Sequence, residues 1–236
     1  MNLRNISSEY CYLTELHAHS RPVSECGNFS ADEVVTTYLM TGINTLTLTN
    51  HLTEAHLVNR HEDELAEFYL SDYYKAVEAA EGTGLNIALG VEIRFTETTN
   101  DYLVYGVSPD DIRKIIPYVK TDIQTFYREF KNEYNVIIQA HPFRDNMQPP
   151  PLGYVDGVET FNCHPVHNPR IPFACRFARE NDLLVTGGSD YHEKGGHATC
   201  ILRTNQELKN SFDIAQAIKS RDVIFDVFGH TVIPYM

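Results

Sequence analysis

Short apolar runs alternate along the chain with longer stretches whose apolar residues recur every three or four positions. That is the pattern of strands alternating with helices in a parallel sheet or barrel. The runs Tyr12–Ala18, Thr45–Thr49, Ile87–Phe95, Tyr102–Val107, Val136–Ala140, Gly157–Phe161 and Leu184–Gly187 predict seven strands. Ser30, with Glu33 three residues on, forms a capping box for a helix that reaches Met40 and ends at Gly42. Between His61 and Glu81, Leu65, Phe68, Tyr69, Ala76, Val77 and Ala80 fall near helical spacing before Gly82 and Gly84, which predicts one long or broken helix. Further helices are expected at Asp110–Tyr118, Asp122–Tyr134, Pro172–Asn181 and Phe212–Arg221. Asn146–Gly153 holds three consecutive prolines, which neither a helix interior nor a central strand accepts, so it is read as a loop at the rim.

Composition narrows the class. A chain of 236 residues with no internal repeat and no compositional break is expected to form a single domain over 1–236, a length typical of one α/β barrel. With 42% hydrophobic and 22% charged residues it reads as globular. No apolar stretch is long enough for a membrane helix, and Met1–Tyr10 lacks the basic start and apolar core of a secretory leader, so a cytoplasmic protein without a membrane partner is expected. The five cysteines are odd in number and contain no CxxC pair, which argues against a disulfide framework or a zinc finger. A formal charge of −13 disfavours extended nucleic-acid binding. A cluster of divalent ions would still make one pocket locally cationic and able to hold a phosphate. Nothing in the sequence sets an oligomeric state.

The candidate chemistry lies where the strands end. Glu15, His17 and His19 are two apart and would share one strand face, with the two histidines at the C-terminal end. The position recurs as His51 after Leu46–Thr49, Glu92 after Ala88–Val91, His141 after Ile137–Ala140, and Asp190 with His192 after Leu184–Thr186. In barrel folds such strand ends converge on one site. Several imidazoles with two carboxylates suit two or three borderline divalent ions, Zn²⁺, Mn²⁺ or Fe²⁺, better than Ca²⁺ or Mg²⁺ alone.

The motifs Glu15-Leu16-His17-Ala18-His19, Thr49-Asn50-His51, Ala140-His141-Pro142 and Gly188-Ser189-Asp190-Tyr191-His192 occur in that order, with Gly90-Val91-Glu92 between the second and third. Over most of its length the chain thereby resembles the PHP (polymerase and histidinol phosphatase) superfamily of metal-dependent phosphoesterases. The resemblance implies a distorted (β/α)₇ TIM-like barrel with two or three metal ions at the C-terminal strand ends. It also implies His17, His19, Glu92 and Asp190 around a first metal, Glu92 bridging to a second held by His141, and His51 with His192 on a third. Three positions depart from the family pattern. Asn50 stands where an aspartate is usual, no histidine lies between Glu92 and His141, so that Asp101 or water would substitute, and the loop after the first motif offers Glu25 or Cys26 to the third metal.

Such ions acidify water and stabilise charge on phosphoryl oxygens. Turnover is expected to depend on Asp190, His192 and Glu92. His192 or His164 is available to the leaving group, Arg144 to a phosphate, and Arg94 and His197 are further candidates for substrate contact. The expected function is hydrolysis of a small phosphorylated substrate, a phosphomonoester or short nucleotide. Two other readings stand beside it: a metal-dependent hydrolase of an amide-type substrate, since related barrels share such ligand sets, and a binding domain that keeps the barrel without turnover.

Overall fold

A computed structural model describes residues 6–58 and 60–235. In chain order the first half comprises α1 (Ile6–Glu9), β1 (Tyr12–Ala18), α2 (Ala31–Leu39), β2 (Thr45–Leu48), β3 (His51–Leu52), α3 (Glu54–Leu57), α4 (Glu62–Ala80), β4 (Asn86–Leu89), β5 (Val91–Arg94) and β6 (Asp101–Tyr105). There follow α5 (Pro109–Ile115), a 3₁₀ turn (Ile116–Lys120), α6 (Ile123–Phe130), β7 (Val136–Gln139), β8 (Gly157–Asn162), α7 (Ile171–Glu180), β9 (Leu184–Gly188), β10 (Cys200–Thr204), α8 (Ser211–Ser220), β11 (Ile224–Val227) and β12 (His230–Val232). The Ser30 capping box forms, with the Ser30 amide donating to Glu33 at 2.9 Å. The His61–Glu81 pattern resolves into one unbroken helix, α4. Pro117 has no amide to continue α5, and the chain tightens into the 3₁₀ turn there.

The strands form two mixed sheets, ordered β12-β11-β10-β1-β2-β4 and β3-β5-β6-β7-β8-β9. Two strand runs cross from one sheet to the other. Thr49 and Asn50 separate β2 from β3, and Gly90 alone separates β4 from β5, so Ile87–Phe95, expected as one strand, is two. Glycine is required at that crossing because a Cβ on residue 90 would lie 2.7 Å from Thr49 Cγ2. The Tyr69 hydroxyl, carried in by α4, reaches the carbonyls of both crossings, Asn50 at 2.7 Å and Gly90 at 3.2 Å. On the other side the sheets meet where the Tyr191 amide donates to the His17 carbonyl and the His19 amide to the Tyr191 carbonyl.

Apolar faces of the helices cover the sheets. Leu65, Ala66 and Tyr69 of α4 and Ile112 and Ile115 of α5 pack on Val91, Ile93 and Val104, while Ile214, Ala215 and Ile218 of α8 pack in a second core with Leu103, Val136 and Leu202. Each such leucine, isoleucine or valine, buried completely or nearly so, contributes about 1.5–3 kcal/mol of transfer free energy. This frame leaves the ends of β1, β5, β7 and β9 free to converge. Among the described residues, no helix is long and apolar enough to cross a membrane.

Candidate metal centre

Four elements deliver the buried core of the site. His17 and His19 come from the end of β1, Glu92 from β5, His141 two residues past β7, and Asp190 two residues past β9, and all five are buried. His51 opens β3 directly opposite Glu92 in the β3–β5 register. His141 and Asp190 adopt left-handed backbone, with φ of 31° and 51°. Such a conformation costs a non-glycine residue on the order of 1–3 kcal/mol and is held only where the surroundings enforce it. Glu15, expected on the same face as the two histidines, instead accepts from the Tyr38 hydroxyl of α2 and the Ser189 amide, and the β1–β2 register is irregular between Glu15 and Ala18.

Hydrogen bonds fix which ring nitrogens face inward. His17 Nδ1 lies 2.8 Å from Glu159 Oε1, so its proton goes to that carboxylate. The Ser24 hydroxyl donates to Asn50 Oδ1, which leaves its oxygen to accept from His19 Nδ1 at 3.1 Å. Asn50 is itself set by Asp72, which accepts from its Nδ2. Both Nε2 atoms then point at one spot, only 3.0 Å apart. Two bare imidazole lone pairs at that distance repel unless a proton or a metal cation lies between them.

The other atoms around that spot complete a cage. Glu92 Oε2 is 3.5 Å from His17 Nε2 and 3.3 Å from His19 Nε2, and Asp190 Oδ1 is 3.5 and 3.4 Å from the same two. A tetrahedral ion bonded at roughly 2.0–2.2 Å holds its ligands roughly 3.3–3.6 Å apart. Glu92 Oε2 and His51 Nδ1 are buried polar atoms without a hydrogen-bond partner, although they face each other at 2.8 Å. Polar atoms left so are costly in a closed protein and ordinary in a metal site. The donor set fits borderline divalent ions.

Without an ion, a proton on His17 supplies the positive charge at this spot. Burial alone would lower His17, yet the carboxylates of Glu159, Asp190 and Glu92 hold its pKa well above the usual value. Burial, with His192 and His51 alongside, pushes His19 well below it. Burial would also raise Glu92 and Asp190, but the surrounding imidazoles, joined at Asp190 by Arg144, keep both carboxylates ionised. The site is built to hold positive charge.

Further ligand-type groups flank the cage. Glu92 Oε1 is 3.1 Å from His141 Nε2, and Asp101 Oδ2 is 3.8 Å from the same nitrogen. The trios His19/His51/His192, His51/Glu92/Asp101 and His164/Asp190/His192 each bring their ligand atoms within 4.8 Å of one another. Arg144 Nη2 lies 2.5 Å from Asp190 Oδ2 and 3.1 Å from Asn162 Oδ1, at the wall of a cavity of about 340 Å³ that His51, His141, His164 and His192 also line. A larger cavity of about 770 Å³ lies beside α7 and the segment Val232–Tyr235, and among the described residues no cluster of ligand-type side chains converges on it.

Two expected residues are not brought to the centre. Glu25 is exposed and belongs to none of the ligand trios; its neighbour Cys26 is exposed too, but its Sγ reaches to 3.1 Å from His192 Nε2. His197 packs edge-on against Tyr38 and Tyr191, at ring separations of 6.4 and 6.2 Å, and does not line the cavity. Its offset from Asp190 in sequence is spent on the turn that follows β9. Arg94 lines the cavity but is held bidentately by Asp101, both bonds at 2.7 Å. His164 lies 5.1 Å from His192 ring to ring, and burial brings its pKa down to about 4. The sequence reading missed Glu159, Asn162 and His167. Glu159 and Asn162 sit within β8 with no motif to mark them, while His167, three after His164, was detectable by spacing.

No protein-family model and no curated protein matches the chain. Solved structures do. The chain is similar to a two-domain protein from Bacteroides vulgatus containing a predicted PHP-like metal-dependent phosphoesterase, with a TM-score of 0.64 and 21% identity over 92% of this chain and 64% of that one. The fold is PHP-like. The chain thus spans about two thirds of that two-domain protein, just under it. The chain is also similar to a candidate metal-dependent phosphoesterase from Bifidobacterium adolescentis, at a TM-score of 0.51 and 17% identity over 86% of this chain and 94% of that one. It is similar to PsfC from Pseudomonas syringae at 0.55 and 13%, over 86% and 87%.

Proposed function

We propose that the chain is a metal-dependent phosphoesterase that hydrolyses a small phosphomonoester or nucleotide at a di- or trinuclear centre. The observation that carries this reading is the pair of Nε2 atoms of His17 and His19, 3.0 Å apart and turned inward by the Nδ1 contacts with Glu159 and Ser24, inside a cage closed by Glu92 and Asp190. His17, His19, Glu92 and Asp190 would hold a first ion; Glu92 with His141 a second, where Asp101 stands in for the histidine missing from the motif pattern; His51, His192 and Cys26 a third. Divalent ions, when bound, supply Lewis acidity toward phosphoryl oxygens and acidify water. We read the two sheets, which meet at Thr49–Gly90 and at His17–Tyr191, as halves of a distorted (β/α)₇ barrel with this site at its C-terminal mouth, and the chain as one cytoplasmic domain.

The chain's own residues do the rest. Arg144, whose Nε has no partner in the protein, donates to a phosphoryl oxygen and shares its charge with Asp190. Glu159 holds His17 in the tautomer that faces the ions, and the Asp72–Asn50–Ser24 chain does the same for His19. His164 stays uncharged above about pH 4 and serves as a hydrogen-bond partner for the substrate.

The test is phosphate release from a panel of phosphomonoesters and nucleotides by chelator-stripped protein reloaded with Mn²⁺ or Zn²⁺. Release that requires metal and falls by about 10²–10³-fold or more in His17→Ala and Asp190→Asn is the expected result. Full metal loading with no release from any member of the panel would overturn the phosphoesterase reading and favour an amide-type substrate or a binding role.

A further inference from the structure

A second cavity adjoins the metal-facing one and shares Arg144 and Met147 with it. It measures about 390 Å³, against about 340 Å³ for the first, and its character is different. Histidines and carboxylates predominate in the first; Pro142, Phe143, Met147, Pro149 and Phe173 line the second, with Asp145, Asn146 and Arg170 beside them. Phe173, in the first turn of α7, is 64% exposed there, an unusual position for a phenylalanine with nothing over it. Phe143 is braced edge-on by Phe177 at 5.5 Å.

The charges in this cleft are already spent. Arg170 donates to the Phe143 carbonyl at 2.5 Å and pairs with Asp145, and the Arg144 guanidinium is turned away toward Asp190 and Asn162. The cleft therefore presents mainly apolar surface, and both of its arginines are paired with carboxylates, which disfavours a second phosphate in it. Arg144 lines both cavities.

We infer that this cleft is the subsite for the alcohol part of the substrate and that it takes a flat, uncharged aromatic or heteroaromatic ring, with Phe173 as a stacking face. The inference rests on the phosphoesterase reading for its connection to chemistry. It narrows the substrate to a monophosphate ester whose alcohol carries such a ring one short linker away from the phosphate, and it disfavours small aliphatic and multiply phosphorylated esters.

The experiment compares the primary-hydroxyl monophosphates of adenosine and of ribose, which share a leaving group and differ in the ring. Metal-loaded wild-type protein is expected to favour the adenosine ester by about tenfold or more in kcat/KM, the scale of one base stacked on an aromatic side chain. Phe173→Ala should remove that preference and leave the ribose ester unchanged, and Phe173→Tyr should retain it; at an exposed position neither change threatens the fold. Equal rates for the two esters in the wild type, or a preference that survives Phe173→Ala, would overturn the subsite and leave the phosphoesterase standing. Calorimetric binding of the same two esters separates the remaining cases. Tighter binding of the adenosine ester, weakened by Phe173→Ala, without turnover of either keeps the subsite and removes the phosphoesterase reading. Neither turnover nor ring-dependent binding overturns the subsite as well.

Discussion

Cys26 shows how a single residue reports on the site around it. Burial pushes its thiol up, but hydrogen bonds from His192 and His51, with their charge, more than offset that and bring the pKa down to about 6. Only the thiolate is a nucleophile, so alkylation of Cys26 in metal-stripped protein should rise as pH climbs through about 6, rather than near the ordinary thiol value of about 8.5. Peptide mapping of iodoacetamide-treated protein across pH reads this directly. Ions bound by His51, His192 and Cys26 should protect the thiol. A midpoint at the ordinary value would mean that the two histidines do not face the sulfur. The sequence offered Glu25 and Cys26 as equals, because the path of a loop decides which of two neighbours reaches the histidines and composition does not.

At the scale of elements, the approach of β9 to β1 sets the centre. A Cβ on Gly188 would lie 2.4 Å from the Cβ of His17 and 3.0 Å from its amide nitrogen, so only glycine lets the two strands close at the His17–His19 turn. Gly188→Ala should cost about 1–3 kcal/mol of stability and weaken metal binding together, measured by denaturant unfolding and by metal titration. A variant with wild-type stability and affinity would show that the strands have room to spare. The seven anticipated strand runs were legible because each is a short apolar stretch bounded by polar or turn residues, and β1 appears with the bounds expected for it. β10, β11 and β12 were not legible. They are short and pair antiparallel with one another at the edge beyond β1, where Cys200–Thr204 and His230–Val232 carry too little periodicity to stand out. The split at Gly90 was hidden because apolar residues continue on both sides of it.

Across the whole molecule, 32 acidic residues against 19 basic ones would repel a phosphorylated substrate. A multinuclear centre of the kind proposed would reverse that field at one place. The candidate metal ligands were the most readable part of the site because their residue types recur at strand ends that the fold must bring together. The residues that support them, Glu159 on His17 and Asp72 on Asn50, carry no such mark and became visible only in three dimensions. The account stands on the cluster being a metal centre that drives hydrolysis. Its most direct test is to titrate Mn²⁺ or Zn²⁺ into chelator-stripped protein and read bound equivalents and phosphate release from para-nitrophenyl phosphate on the same samples. The account predicts two or three equivalents per chain, release that follows their loading, and a Glu159→Gln curve displaced to about 10–100-fold higher metal. Less than one equivalent bound, or release indifferent to loading, would contradict it.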